Sequence, residues 1–410
     1  MKTEIDTVKG FRDFMPPESL KRAVVKEIAE KWFRLYGFAP VETPIIEFDE
    51  LIKDSKEESF DEAVSDRFRL QDRGNRNLGL RYEFTFQLAR ILKQNPNLKL
   101  PFKRYQIGEV FRDEPVSQKR FRQFTQCDID VIGDSSVYAD AECLAAFLDI
   151  LNELKIDSEI EVNNRKLLNS IIGSVEIGSI NNVLRELDKV EKIGIDEVKV
   201  NLKKFADTNQ IITLFKILEK PLEFFKKNAF SGFEELEELI EVCKDYEIKV
   251  KFNPFLARGL SYYTNNIFEI KSLDENKKRI TLAGGGRYDK TVGKFLFKDI
   301  PAVGISFGLE RLCEFAKIIP KSIPKVLLIS ISQEKQTIRL AQKLRKKSVS
   351  CSISAEKVGK SLEYANSLKI PFVIIIGEEE IGKKKYKLKN MLSGKEALLS
   401  EKQLIKSLGK

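Results

Sequence analysis

The run "FRDEPVSQKRFRQFTQCDID" at 111–130 sets cations and carboxylates into a pattern that alternates like a β-strand. Taken in steps of two from Arg120, one face carries Arg120, Arg122, Phe124, Gln126, Asp128 and Asp130. Guanidiniums thus gather at one end of a strand and carboxylates at the other. Guanidinium forks match phosphate oxygens bidentately, which lysine does less well. With Arg112 closing the preceding strand and Arg120 and Arg122 opening the next, the loop between them presents several such groups around one point. Glu114 in that loop offers an acceptor for an exocyclic amine, and Gln126 and Asp130 suit a small polar cation. Cross-strand ion pairs on a solvated hairpin account for the same charges without a ligand.

Four further stretches carry chemistry-bearing side chains, each with an ordinary alternative. "LRYEFTFQLAR" at 80–90 sets Glu83 and Thr85 on one face of an extended segment, where they could equally be a surface pair. "LARGLSYYTNNIFEI" at 256–270 places Arg258 just ahead of Tyr262 and Tyr263. "LAGGGRYDKTVG" at 282–293 lacks the spacing of a P-loop or a dinucleotide fingerprint. Its three glycines read as backbone running close beside a ligand, or as a tight turn. "VGISFGLERL" at 303–312 reads as a strand, a glycine and a helix start. A helix N-terminus favours anions, and Arg311 near its first turn could stack on a flat base.

The 410 residues include no histidine, which removes the commonest general base at neutral pH and the commonest metal ligand. Any chemistry must run on carboxylates, cations, amides and phenols, and no protein-only metal site is expected. The five scattered cysteines form no Cys-x-x-Cys pair, which points to a reducing cytosol rather than a disulfide framework. The charged N-terminus has no apolar signal stretch, and the longest apolar run, "PFVIIIG" at 371–377, suits a buried strand. A cytoplasmic protein without a membrane segment is the expectation. Net charge is +9, yet residues 321–410 hold 20 Lys/Arg against 8 Asp/Glu while the other 320 hold 51 against 54. The tail therefore reads either as a solubilising surface or as a domain that meets a polyanion.

These residues need elements to position them. A helix is predicted over 19–36, with Leu20, Val24, Ile28, Trp32 and Leu35 on its apolar stripe and Gly37 as its stop. The extended "FAPVETPIIEF" holds Pro40 and Pro44 and so belongs at an edge or interface. Strands are predicted at 102–112, 120–132, 249–253, 265–271, 279–283 and 302–307, with a Leu/Lys/Glu-rich helical block at 165–248 interrupting them. That order suggests a helical insertion in an antiparallel α+β domain. Beyond a linker bracketed by Pro320 and Pro324, strands at 325–332, 349–355 and 371–376 alternate with helices at 334–347 and 357–368, predicting a small parallel sheet with right-handed crossovers.

Taken in order, the segments resemble the histidyl-tRNA synthetase family of class II aminoacyl-tRNA synthetases over essentially the whole chain. "KGFRDFMPPE" is similar to the family's N-terminal signature, and "WFRLYGFAPVETPIIE" near 32–47 to motif 1. "EVFRDEPVSQKRFRQFTQCDID" near 109–132 resembles motif 2, and "VGISFGLERL" at 303–312 motif 3. "ARGLSYY" and "GGGRYD" resemble the two signatures particular to this family, and the tail is similar to its anticodon-binding domain.

The resemblance implies an α+β fold: an antiparallel-sheet catalytic domain over 1–320 with a helical insertion at 165–248, then an α/β anticodon-binding domain over 325–410. It implies that histidine is activated with ATP and Mg²⁺ to histidyl-adenylate and transferred to tRNA(His), by a homodimer joined through motif 1. By carry-over, Arg112 holds the α-phosphate, Glu114 the adenine amine, Arg120 the outer phosphates, and Arg311 covers the adenine. Asp130 and Tyr263 face the imidazole of L-histidine, with Tyr288 lining the pocket. Glu83, Thr85 and Gln126 take the α-amino group, and Arg258 is the catalytic cation beside the carboxylate and α-phosphate. The chain departs from the family pattern at Thr125, Asn164 and Ser261. The alternatives are a regulatory paralogue of ATP phosphoribosyltransferase or a non-catalytic RNA-binding relative.

Overall fold

The computed structural model describes residues 5–52, 66–117, 120–258, 262–273, 279–320 and 324–409. The chain divides into two compact units, Met1–Ile318 and Ile319–Lys410. In the N-terminal unit the described strands are β1 (Ala39–Pro40), β2 (Ile46–Phe48), β3 (Arg69–Gln71), β4 (Asn77–Leu80), β5 (Phe102–Phe111) and β6 (Gln123–Ile132). They continue as β7 (Ser158–Asn164), β8 (Val250–Phe252), β9 (Asn266–Ser272), β10 (Thr281–Arg287) and β11 (Ala302–Gly308). Among the described residues, eight of these form one sheet in the order β1-β5-β6-β11-β10-β9-β7-β8. Its interior pairs are antiparallel, and only the outer pairs β1/β5 and β7/β8 run parallel. Pro40 lies on the edge strand, where a missing N–H costs no ladder bond. Strands β2, β4 and β3 form a separate small sheet.

The period of two explains how the large sheet separates core from cleft. Along β6, Cys127, Ile129 and Val131 are buried in the main apolar core. There Phe33, Phe147 and Phe307 stack, with Phe147 and Phe307 ring centroids 5.0 Å apart. The intervening Gln126, Asp128 and Asp130 point to the opposite face and line a cleft. The helix Glu18–Leu35 buries Val25, Ala29 and Phe33, while Ile28 and Trp32 of the expected stripe pack half-buried beside them. Leu35 is exposed, and Trp32 is only half-buried because its indole N–H donates to Glu153 Oε2 at 2.6 Å. Gly37 adopts φ +78°, the left-handed stop anticipated there.

Two other expectations change. Arg120 and Arg122 precede β6, which begins at Gln123; Arg120 makes only an isolated bridge to Ser117. Residues 284–286 are part of β10 rather than a turn after a strand. From Arg165 to Asp245 the chain is helical, with seven helices from Arg165–Ser174 to Phe233–Asp245 and no strand.

In the C-terminal unit, β12 (Val326–Ser330), β13 (Cys351–Ser354) and β14 (Phe372–Ile376) pair in parallel, with helices Glu334–Arg345 and Val358–Ser367. Two more strands, β15 (Lys385–Asn390) and β16 (Glu396–Ser400), extend the sheet antiparallel, giving the order β13-β12-β14-β15-β16. The parallel-sheet expectation is therefore incomplete. The lysine-rich "KYKLKN" of β15 reads as a solvated charge run until its alternate residue Leu388 is seen packed in the core. Among the described residues no helix is long and apolar enough to cross a membrane.

Candidate functional site

The antiparallel register decides which polar groups meet. Across β5 and β6, Arg104 stands opposite Asp130, Gln106 opposite Asp128, and Gly108 opposite Gln126. Across β6 and β11, Asp130 faces Gly304 and Asp128 faces Ser306. Gly304 is required there, since a Cβ would lie 2.2 Å from Asp130 Oδ1. Asp130 is 3% exposed, and its Oδ2 lies 2.6 Å from Arg104 Nη2, whose side chain is wholly buried. The Tyr288 hydroxyl donates to Asp130 Oδ1. Burial pushes the Asp130 carboxyl up, and the Arg104 charge pulls it back down. Tyr262 packs between Tyr263 and Tyr288, at centroid distances of 4.8 and 5.8 Å.

Glu83 and Thr85 lie just ahead of the helix Phe86–Gln94. Glu83 Oε1 accepts from the Phe86 N–H at 2.7 Å, so the carboxylate sits at the start of the helix. Burial raises the Glu83 pKa, and the hydrogen bonds from Thr85 and Phe86 oppose that rise. Gln126 Nε2 donates to Ser306 Oγ at 2.7 Å. Arg258 takes φ +56° and reaches Glu269 Oε1 at 3.2 Å, with its guanidinium 5.8 Å from the Tyr263 ring centre. Burial alone would depress the Arg258 pKa, but Tyr263 and Glu269 more than reverse it. A Cβ on Gly284 would lie 1.8 Å from Arg258 Nη1. The first glycine of the triplet thus makes room for a protein cation rather than for a turn.

The other end of the cleft is built from loops and a short helix. Arg112 stacks over the rings of Tyr82 and Phe124, at 4.4 and 5.1 Å. Arg120, with a side chain 61% exposed, is 2.9 Å from Glu114 Oε2. Arg311 extends from the helix Leu309–Phe315 and donates to the Thr281 carbonyl at 2.5 Å. Arg122 is taken up elsewhere, by Asp113 and the Glu114 carbonyl.

One cleft of about 1160 Å³ is lined by all eleven sequence-predicted residues: Glu83, Thr85, Arg112, Glu114, Arg120, Gln126, Asp130, Arg258, Tyr263, Tyr288 and Arg311. A smaller hollow of about 340 Å³ beside Arg287 and Asp289 holds none of them. Of the departures from the family pattern, Thr125 and Asn164 have structural work. Thr125 accepts from Arg22, and Asn164 caps the helix Arg165–Ser174 through Lys166 N and Leu167 N. Ser261 lies outside the described residues.

Sequence reading missed several groups. Arg104 could have been found, since the hairpin register that pairs Phe111 with Gln123 also sets Arg104 against Asp130. Asp128 was visible on the polar face, but its partner Ser306 was not. Leu187, Asp188, Glu191 and Lys192 of the helical block also line the cleft, and Glu191 bonds the buried Lys271. No local signal marks that long-range contact.

Residues 10–312 match the histidyl-tRNA synthetase family, and residues 325–410 match the anticodon binding domain family. Histidine–tRNA ligase 1 of Bacillus anthracis is 38% identical over 96% of this chain and 97% of its own length. A histidyl-tRNA synthetase crystal structure from Nostoc sp. PCC 7120 superposes with a TM-score of 0.85 at 28% identity, covering 99% of each chain. An ATP phosphoribosyltransferase regulatory subunit/histidyl-tRNA synthetase from Bacillus halodurans shares the fold, with a TM-score of 0.74 at 20% identity over 88% of this chain and 96% of that one. With both segments matched, and with a relative of that identity aligned nearly end to end, the chain belongs to the histidyl-tRNA synthetase family.

Proposed function

We propose that the chain is an ATP-dependent histidine–tRNA ligase. It activates L-histidine to histidyl-adenylate, releasing pyrophosphate, and then transfers histidine to the 3′-terminal adenosine of tRNA(His). The observation that carries this reading is a single cleft with arginines on loops at one end and a buried aspartate–tyrosine pair at the other. In this reading Arg112, Glu114, Arg120 and Arg311 bind ATP. Glu83, Thr85 and Gln126 receive the α-ammonium, Asp130 accepts an imidazole N–H, and Tyr263 and Tyr288 enclose the ring.

The attacking carboxylate is ionised at neutral pH, so the first step needs no general base. It needs two anions held in line while charge builds on the α-phosphoryl oxygens. Arg258 and Arg112 supply that neutralisation. Among the described residues no group of three acidic or cysteine side chains forms a metal cage. In this reading Mg²⁺ accompanies the ATP phosphates as part of the substrate. The basic C-terminal unit holds the tRNA largely through phosphates, with steep salt dependence.

The catalytic residues in this reading are Arg112 and Arg258. Two copies of the chain assemble through motif 1, a reading supported by Ile46, Phe48 and Leu70, which stand 50%, 54% and 41% exposed on the small sheet. Its free cysteines suit the cytoplasm.

Histidine-dependent exchange of labelled pyrophosphate into ATP tests the proposal. Exchange that requires histidine, followed by charging of tRNA(His), is the expected result. RNA binding without exchange would reject catalysis and favour a retired synthetase.

A further inference from the structure

Three groups on the floor of the cleft are joined in a way that the activation chemistry does not itself require. Asp128 stands opposite Ser306 across the β6/β11 pair, and Gln126 is one same-face step along β6. The Ser306 hydroxyl donates to Asp128 Oδ1, and its oxygen accepts from Gln126 Nε2 at 2.7 Å. A hydroxyl has a single proton, so giving it to the carboxyl leaves only lone pairs for the amide. The donor end of Gln126 is thereby occupied, with Nε2 also 3.5 Å from Asp128 Oδ1.

The acceptor end has no such partner. Gln126 Oε1 is buried and unpartnered among the described residues, in a side chain that lines the cleft. Turning the amide over would press Oε1 against the Ser306 oxygen and towards the Asp128 carboxyl, acceptor against acceptor. Burial raises the Asp128 pKa to about 8, against the pull of Arg104 and with the push of Asp130. Near neutral pH it is therefore mostly the uncharged acid, and because Oδ1 accepts from Ser306 its proton belongs on Oδ2, which keeps Oδ1 an acceptor towards Ser306 and Gln126.

We infer that Asp128 and Ser306 are positioning residues that lock the Gln126 amide with its carbonyl oxygen towards the cleft, so that this wall selects an N–H-bearing cation, the α-ammonium of the amino acid. The inference rests on the proposed histidine activation and adds what fixes the orientation of one of its contacts. Both residues line the cleft, and their part in this inference is indirect. Ser306 sets the amide, and Asp128 sets Ser306.

The test compares two competitive inhibitors of pyrophosphate exchange. L-Histidinol keeps the amine and lacks the carboxylate, whereas imidazolepropionate keeps the carboxylate and lacks the amine. Ser306→Ala should weaken histidine and histidinol about 10-fold and leave imidazolepropionate and ATP within about twofold, as expected for one misdirected bond to a charged group. Ser306→Thr, which restores the hydroxyl, should recover native selectivity. Asp128→Ala gives the same readout should the Ser306 variant misfold, and it too should lose the amine-bearing ligands selectively. Equal weakening of all ligands, or of none, overturns the inference. An unaltered chain that fails to exchange rejects the proposed function instead, so the two failures are distinguishable.

Discussion

At the Asp130 end of the cleft the charged groups are interior and already paired. At the Arg112 end they stand on loops and a short helix, and Arg120 reaches into open space. Arg104 is 0% exposed and tied to Asp130, which also receives the Tyr288 hydroxyl. Arg120 is instead 61% exposed, and its partner Glu114 belongs to the same loop. The contrast follows from what each end is proposed to hold. A neutral ring is told from isosteres by buried hydrogen bonds whose loss is expensive. A triphosphate is drawn in by charge and needs groups able to change partner as it arrives and as pyrophosphate leaves. One end recognises by rigidity, the other by reach.

The comparison breaks most visibly at Asp130. Asp130→Asn keeps the size and removes the charge that faces the ring. It should lower histidine-dependent pyrophosphate exchange about 1,000-fold, measured as kcat/KM for histidine. Asp130→Ala should also cost about 3–5 kcal/mol of stability, because it leaves Arg104 as an uncompensated interior charge. A shift in the urea midpoint reads that cost. Near-native exchange in the Asn variant would mean that the imidazole lies elsewhere.

A smaller effect is expected at the other end. Arg120→Ala should raise the KM for ATP about 10-fold without moving that for histidine. In the unaltered chain, raising salt from about 50 to about 500 mM should weaken ATP binding far more than histidine binding, since screening acts on exposed charges first. Equal salt dependence for both substrates would erase the contrast.

An effect read in stability rather than in exchange concerns Asp128. Its folded-state pKa of about 8 stands above that of an unfolded aspartate. The native state therefore holds the extra proton and loses stability as pH climbs from the lower value to the higher. Asp128→Asn removes that loss, so its stability relative to the unaltered chain should rise between about pH 5 and about pH 8. The difference in urea midpoints across that window checks the sign. A constant difference would place a charged carboxylate at 128 throughout.

Much of this cleft is legible in the sequence because its wall is one hairpin. The alternation of Gln126, Asp128 and Asp130 with Cys127, Ile129 and Val131 states which side faces the core. The same logic locates β11 and the parallel strands of the C-terminal unit. What stays hidden is cross-strand company. Ser306 looks like any strand serine until β11 is laid beside β6. β7 and the contact of Glu191 with Lys271 depend on packing between segments far apart in the chain. Arg122 shows the opposite error. Its spacing from Gln126 puts it on the polar face only if the strand begins earlier than it does.

Position 284 has a consequence for judging this kind of chain by inspection. A methyl group there would fall where the Arg258 guanidinium ends. The easiest relief is for that flexible side chain to swing aside while the sheet stays whole. Gly284→Ala would leave every ionisable group in place and still evict the cation from its seat. A chain so altered would look competent to anyone counting charged residues, because the lesion lies in the loss of a vacancy.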